Sequence, residues 1–151
     1  MKYFFLDTNI VLALIRSRSR ASVMEQIGYY EPDRQFVISI VTIGELEGLA
    51  LANDWGETKR GQLKSFLDRA TIISLEYENI IAQYAEIYAF SQGRHPGRVL
   101  GDSARNMGQN DLWIAATTGA LDIPIITTDG DFDHLHDQFI TVIAIDRKFL
   151  R

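Results

Sequence analysis

GQNDLWIAATTGALDIPIITTDGDF, residues Gly108–Phe132, is the stretch on which the fold turns. Asn110 has the side chain of an N-cap, able to accept from a free backbone N–H in the first turn of a helix. Asp111 then falls in that first turn, where the helix dipole favours a negative charge. Leu112, Ala115, Ala116, Gly119 and Ala120 follow the i, i+3, i+4, i+7, i+8 spacing of one buried face. All but the leucine are small, so the helix can lie close to whatever it covers. Pro124 opens Ile125–Thr128, a short β-branched run that reads as a buried strand, and the run stops in Asp129-Gly130-Asp131. In open α/β sheets, ligands sit outside the carboxyl ends of the strands. A helix start and a strand end therefore aim acids at one place.

Outward from this stretch the same alternation recurs. Tyr3–Leu6 reads as a first strand and leads through Asp7-Thr8-Asn9 into an apolar helix, Ile10–Ile15, capped by Thr8 or Asn9. The cluster Arg16–Arg20 ends that helix in solvent. Glu31-Pro32-Asp33 marks a turn, Phe36–Ile40 a second strand, and Thr42–Ala52 the helix after it. Gly61–Leu67 has helical spacing, Thr71–Leu75 is a third strand, and Asn79–Ser91 is a helix that Gly93 stops. Arg94–Gly108 has no period and holds Pro96, Gly97 and Gly101. A loop of that length inside a compact domain is uncommon and often functional. Phe139–Ile145 gives a last strand. Strands alternating with helices predict an α/β fold: a mainly parallel central sheet with helices on both faces, as one domain over residues 1–151.

Composition excludes several classes. At 151 residues, 46% apolar and 23% charged, the chain can bury a proper core and is not of disordered type. It has no cysteine, which removes disulfides, thiolate metal sites and cysteine nucleophiles, and fits a reducing cytoplasm. The longest apolar run, Ile10–Ile15, is far below the ~20 residues of a membrane span. Asp7 interrupts the N-terminal apolar stretch before it reaches the length of a secretory signal. A net charge of −5 argues against a polyanionic partner unless several acids gather around cations.

The acids do gather. The junctions between strands and helices place Asp7, Glu45, Asp111 and Asp129, with Asp131 beside it, near one edge of the sheet. Each has an ordinary explanation. Asp7 suits a turn or cap, Glu45 suits a capping box over Thr42-Ile-Gly-Glu45, Asp111 suits the helix dipole, and Asp129-Gly-Asp131 suits a plain turn. Four independent ordinary roles are not expected to fall together on the functional edge of one sheet. Carboxylates converging without a basic partner raise one another's pKa, and a cation relieves them. An all-oxygen set selects a hard ion, Mg²⁺ or Mn²⁺, of the kind that promotes phosphodiester cleavage. His95, His134 and His136 have no metal spacing with the acids and read as surface residues. Asp129-Gly-Asp-Phe-Asp133 opens like a calcium loop, but His134 and Ile140 stand where glycine and glutamate belong.

Four segments, LDTNI at Leu6–Ile10, SIVTIGEL at Ser39–Leu46, NDLWIAA at Asn110–Ala116 and TTDGDF at Thr127–Phe132, resemble the PIN-domain ribonucleases in order and spacing. The likeness is greatest to VapC-type toxins of bacterial toxin–antitoxin pairs. The resemblance implies a PIN-like α/β/α fold and Mg²⁺- or Mn²⁺-dependent cleavage of RNA. It also implies a homodimer held inactive by a cognate antitoxin. By position, it makes Asp7, Glu45, Asp111 and Asp129 the catalytic and metal-binding acids, with Asp131 as an assisting ligand. Thr8 or Asn9 matches a polar residue near the metal, and Thr127 the hydroxyl beside the fourth acid. The Arg94–Gly108 segment departs from the family pattern in length and glycine content.

Two other functions fit parts of the sequence. A haloacid-dehalogenase-like phosphatase also puts an aspartate after its first strand, but needs a second one two residues on, where this chain has Asn9. A non-catalytic PIN-like module that binds RNA or protein has no use for an intact acid set. Two surfaces are also expected. Arg94, Arg98 and Arg105 form a basic rim for RNA phosphates, and Tyr29, Tyr30, Leu49 and Trp55 are interface candidates for a second copy or an antitoxin.

Overall fold

Phe4-Phe5-Leu6, Val37-Ile38 and Ile125-Ile126 are apolar without alternation, the mark of strands covered on both faces. The computed structural model, which describes residues 1–76 and 78–151, places them in a five-stranded sheet. The strands are β1 (Lys2–Leu6), β2 (Arg34–Ser39), β3 (Thr71–Ile73), β4 (Ile125–Thr127) and β5 (Val142–Ala144). Their order is β3-β2-β1-β4-β5, and every pairing is parallel. The helices are α1 (Thr8–Ile15), α2 (Ser17–Ile27), α3 (Ile40–Ala52), α4 (Glu57–Arg69), α5 (Glu78–Ser91) and α6 (Gln109–Leu121).

Successive strand residues point to opposite faces, so two cores form. Phe4, Leu6, Ile38 and Ile126 pack with α1–α4, while Phe5, Val37 and Ile125 pack with α5 and α6. Topology explains the division. Right-handed crossovers carry the chain outward from β1 through β2 to β3 with helices on one face. The return to β4, on the far side of β1, lays α5 and α6 on the other. The expected α/β fold with helices on both faces is what the chain adopts, and the small-residue stripe of α6 lies close against α5. A Cβ on Gly119 would stand 3.0 Å from the Gln83 side chain and 3.3 Å from the Phe139 carbonyl.

Several local expectations need correction. Asp7, not Thr8 or Asn9, caps α1, its side chain accepting from the Thr8 amide. The Arg16–Arg20 cluster ends α1 with its arginines exposed, as expected, but it is no mere stop. It opens α2, where Ser19 is buried and donates to the Ala13 carbonyl while Arg20 Nε donates to that of Leu14. The last carbonyls of α1 are thus satisfied by the next helix instead of by water. The N-cap of α6 is Gly108 and not Asn110, although Asp111 remains in the first turn. Helix α4 extends well beyond Gly61–Leu67 at both ends, and β5 is shorter than Phe139–Ile145. Trp55 is buried, with the Lys59 ammonium 3.9 Å above its ring, so it belongs to the core; Tyr29, Tyr30 and Leu49 are exposed. The Arg94–Gly108 segment has no helix or strand, and no helix among the described residues is long and apolar enough to cross a membrane.

Candidate active site

Strand order reverses between β1 and β4, and at such a switch point the crossing connections diverge and leave a crevice beyond the carboxyl ends. Asp7 is the first residue past β1, and Asp129 follows β4 after Thr128. Asp111 enters from the first turn of α6 and Glu45 from the second turn of α3. One carboxylate oxygen from each of Asp111, Asp129 and Asp131 can be chosen so that all lie within 4.8 Å of one another. Asp7 and Glu45 stand outside that trio but close enough to act on Asp111 electrostatically.

Short hydroxyl bridges fix these acids. Thr127 Oγ1 donates to Asp7 Oδ2 at 2.6 Å and accepts the Asp129 amide at 2.9 Å, so one buried hydroxyl sets the first and fourth acids relative to each other. Asp7 Oδ1 accepts the Thr8 amide at 2.8 Å. Thr8 Oγ1 donates to Glu45 Oε1 at 2.7 Å, with the buried Thr42 hydroxyl 3.1 Å from it. Glu45 is therefore held by α1 and not by a capping box. The cap of α3 is Ser39, whose hydroxyl accepts the Val41 amide. Asp129 Oδ1 accepts the Asp131 amide at 2.9 Å, capping a short 3-10 helix over Gly130–Leu135. Asn9 Nδ2 donates to Thr128 Oγ1 at 2.7 Å, while its Oδ1 is buried without a partner.

Electrostatic strain is concentrated here. Burial pushes the Asp111 carboxyl up to about 7, with Asp7, Asp129, Glu45 and Asp131 adding to the rise. Asp7 is raised to about 6, again chiefly by burial, against the opposing pull of its hydrogen bonds from Thr127 and Thr8. No salt bridge among the described residues reaches any of the five acids. Oxygen donors in excess of counter-charge, and an orphaned amide oxygen at Asn9, are the chemistry of a hard divalent cation site.

The proposed arginine rim is not a single feature. Arg98 Nη1 donates to the Gln138 carbonyl and its guanidinium lies 4.3 Å over the Phe139 ring, a packing role. Arg94 is exposed. Arg105 sits near enough to His134 to act on it, with Asp102 3.9 Å away. Sequence reading missed Arg147, whose Nε is 3.5 Å from the Thr128 carbonyl, one residue from Asp129. It also misread His134. Far from lying free on the surface, the imidazole stacks over Phe90 and its Nε2 is 2.7 Å from Ser91 Oγ. His95 pairs with Glu86 and is also largely covered. Only contacts distant in sequence reveal these roles.

An all-parallel sheet whose switch point gathers unpaired carboxylates defines an α/β domain with a cation-receptive acidic cleft. The chain belongs to the PIN domain family, whose family model matches residues 4–137. It is similar to Ribonuclease VapC1 of Haemophilus influenzae strain R2866, at 26% identity over 124 residues, 82% of this chain and 84% of that one. Among solved structures it resembles VapBC2 from Rickettsia felis bound to a DNA fragment from their promoter. That match has a TM-score of 0.74 and 21% identity, covering 95% of this chain and 99% of the other. VapBC-1 from nontypeable H. influenzae matches with a TM-score of 0.67 and 23% identity, covering 94% and 97%. At these identities the structural likeness speaks to the fold.

Proposed function

We propose that this chain, as one domain over residues 1–151, is a divalent-cation-dependent ribonuclease and the toxin of a VapBC-type toxin–antitoxin pair. The observation that carries the reading is the acid set. Asp111, Asp129 and Asp131 bring carboxylate oxygens within coordination reach of one ion, and Asp7 and Glu45 are anchored beside them. Membership of the PIN family, and relatives that are ribonucleases by name, support the same reading. Mg²⁺ or Mn²⁺ is the ion that the donor chemistry favours.

In this reading Asp111, Asp129 and Asp131 hold the cation, with Asp7 and Glu45 completing the negative wall. Thr127 and Thr8 keep Asp7 and Glu45 from turning away. A cation held there supplies charge stabilisation at a phosphoryl oxygen and eases ionisation of a water. Arg105 and Arg147 flank the cleft and bind substrate phosphates, so an acidic protein can hold RNA. The partners are RNA, a cognate antitoxin and a second copy of the chain, and the site of action is the cytoplasm. Exposed Tyr29, Tyr30 and Leu49 are available for protein contacts.

Cleavage of a mixed RNA substrate with Mn²⁺, and with EDTA in its place, tests the reading. Cleavage is expected only with the metal, and Asp111→Asn should lower it by at least ~100-fold, since losing even a partner of the direct ligands can cost that much. RNA binding without cleavage in Mn²⁺ would point to a scaffold, and cleavage undiminished by EDTA would exclude the cation mechanism.

A further inference from the structure

Ser91 and His134 lie 43 residues apart in sequence, and neither belongs to the acid set. Ser91 is the last residue of α5 and is 1% exposed, too buried to serve as a nucleophile. Its environment joins three segments. Its hydroxyl is 2.7 Å from His134 Nε2, in the 3-10 helix that begins directly after Asp129 and contains Asp131. The same hydroxyl is 3.4 Å from the sulfur of buried Met107, two residues before α6, the helix that presents Asp111. Its carbonyl accepts the Arg105 amide at 2.7 Å, fixing the far end of the Arg94–Gly108 loop. The imidazole lies parallel to the Phe90 ring, 6.3 Å between centroids and 3° between planes, so it has little freedom to swing away.

We propose that Ser91 and His134 form a positioning pair that holds the Asp129–Asp131 turn in register with the start of α6 and with Arg105. The acids at the turn belong to a 3-10 segment that buries Phe132 and Leu135, while Asp131 itself is exposed. Short 3-10 segments are weakly self-stabilising. Phe132 and Leu135 seat that segment in the core, but the hydrogen bonds that aim its acids run from Asp129 to Thr127 and from Asp131 to Asp129. The bond from His134 to the end of α5 adds a directional tie from the other side, which apolar packing alone does not give. Ser91 is then a shared strut: one residue sets the third acid through Met107, the turn acids through His134 and the phosphate-facing arginine through its carbonyl. The pair touches neither substrate nor ion. It acts through the residues it positions, as partners beyond the direct ligands of a metal generally do.

This rests on the cation reading above, and its test separates the two. Mn²⁺ affinity is measured by calorimetry on the full chain for wild type, Ser91→Ala, His134→Phe and His134→Gln. Phenylalanine keeps the ring over Phe90 but has no nitrogen, whereas glutamine restores a polar atom at the Nε2 position. Ser91→Ala and His134→Phe should each weaken Mn²⁺ binding by ~10-fold, and His134→Gln should stay close to wild type. Wild-type affinity in Ser91→Ala, a substitution small enough to fold whatever the fate of the phenylalanine variant, would overturn the proposal. So would equal losses in His134→Gln and His134→Phe, since a purely packing role predicts no rescue. A wild type that binds no Mn²⁺ would instead overturn the cation reading itself.

Discussion

Asp111 carries two opposed demands, and its protonation shows which one dominates. A carboxylate in the first turn of a helix gains from the dipole, by a few tenths of a kcal/mol at an exposed site. Here burial and four neighbouring acids outweigh that gain and raise the group to about 7, with Asp7 at about 6. Both carboxyls bind their protons more tightly in the folded chain than in the unfolded one. The native state therefore holds the extra protons from about pH 4 to about pH 7, and metal-free stability falls as pH rises through that window. Asp111→Asn removes the charge and keeps the shape. In urea titrations with EDTA it should be more stable than wild type at pH 8, by ~1 kcal/mol once solvent screening is allowed for. Below about pH 4, where Asp111 is protonated in the folded and the unfolded chain alike, the difference should vanish. A variant less stable than wild type at pH 8 would make Asp111 a dipole residue and no more. The positions of Asp7, Glu45, Asp111 and Asp129 were legible because each stands at a strand end or near a helix start. The Thr8–Glu45 bond and the Ser91–His134 pair were not, because they join residues 37 and 43 positions apart.

Elements reveal themselves in sequence when their pattern outlasts their charge. Helix α6 was legible because its stripe of small residues runs the length of the element. Helix α2 was hidden: its buried stripe is only Ser19, Val23 and Ile27, and its first turns carry Arg16, Arg18 and Arg20. Those arginines are in solvent, as their charge suggests, yet one of them also closes the end of α1, which no local pattern signals. The same contrast between pattern and surroundings governs two glycines inside helices. Gly48 of α3 has nothing within 4 Å of where a Cβ would stand. Alanine there should raise the unfolding free energy by ~1 kcal/mol, the helix-propensity difference. Gly119 of α6 faces the Phe139 carbonyl at 3.3 Å and the Gln83 side chain at 3.0 Å. A backbone carbonyl cannot move aside as a side chain can, so Gly119→Ala should lose most or all of that gain. Equal stabilisation of the two variants in denaturant titrations would mean that α5 and α6 are not as closely packed as described.

At the scale of the whole molecule, sequence pattern reached the fold class but not the order β3-β2-β1-β4-β5, which depends on which strand edges pair. That order puts β1 beside β4 and so creates the crevice between Asp7 and Asp129. Charge distribution raises the remaining question, because a chain of net charge −5 must hold a polyanion. At physiological salt, exposed charges more than ~8 Å apart are largely screened from one another, so local cations decide and not the net charge. The three loop arginines read as equivalent in sequence, since each stands in an aperiodic, Gly-rich stretch with little acid. Their surroundings separate them. Arg98 is committed to the Gln138 carbonyl and the Phe139 ring, while Arg105 lies near His134, the imidazole on which Asp131 also acts. Arg147, well outside the loop, reaches the backbone next to Asp129. Arg105→Ala and Arg147→Ala should each weaken RNA binding and reduce the slope of log K against log salt by ~0.7, the value of one single-strand phosphate contact. Arg98→Ala should leave that slope unchanged and lower stability instead, because its guanidinium covers an aromatic ring and satisfies a carbonyl. Filter binding of a catalytically silent Asp111→Asn background across a salt series makes the comparison. A slope altered by Arg98→Ala but by neither of the other two would return the phosphate contacts to the loop and remove them from the rim of the acid cleft.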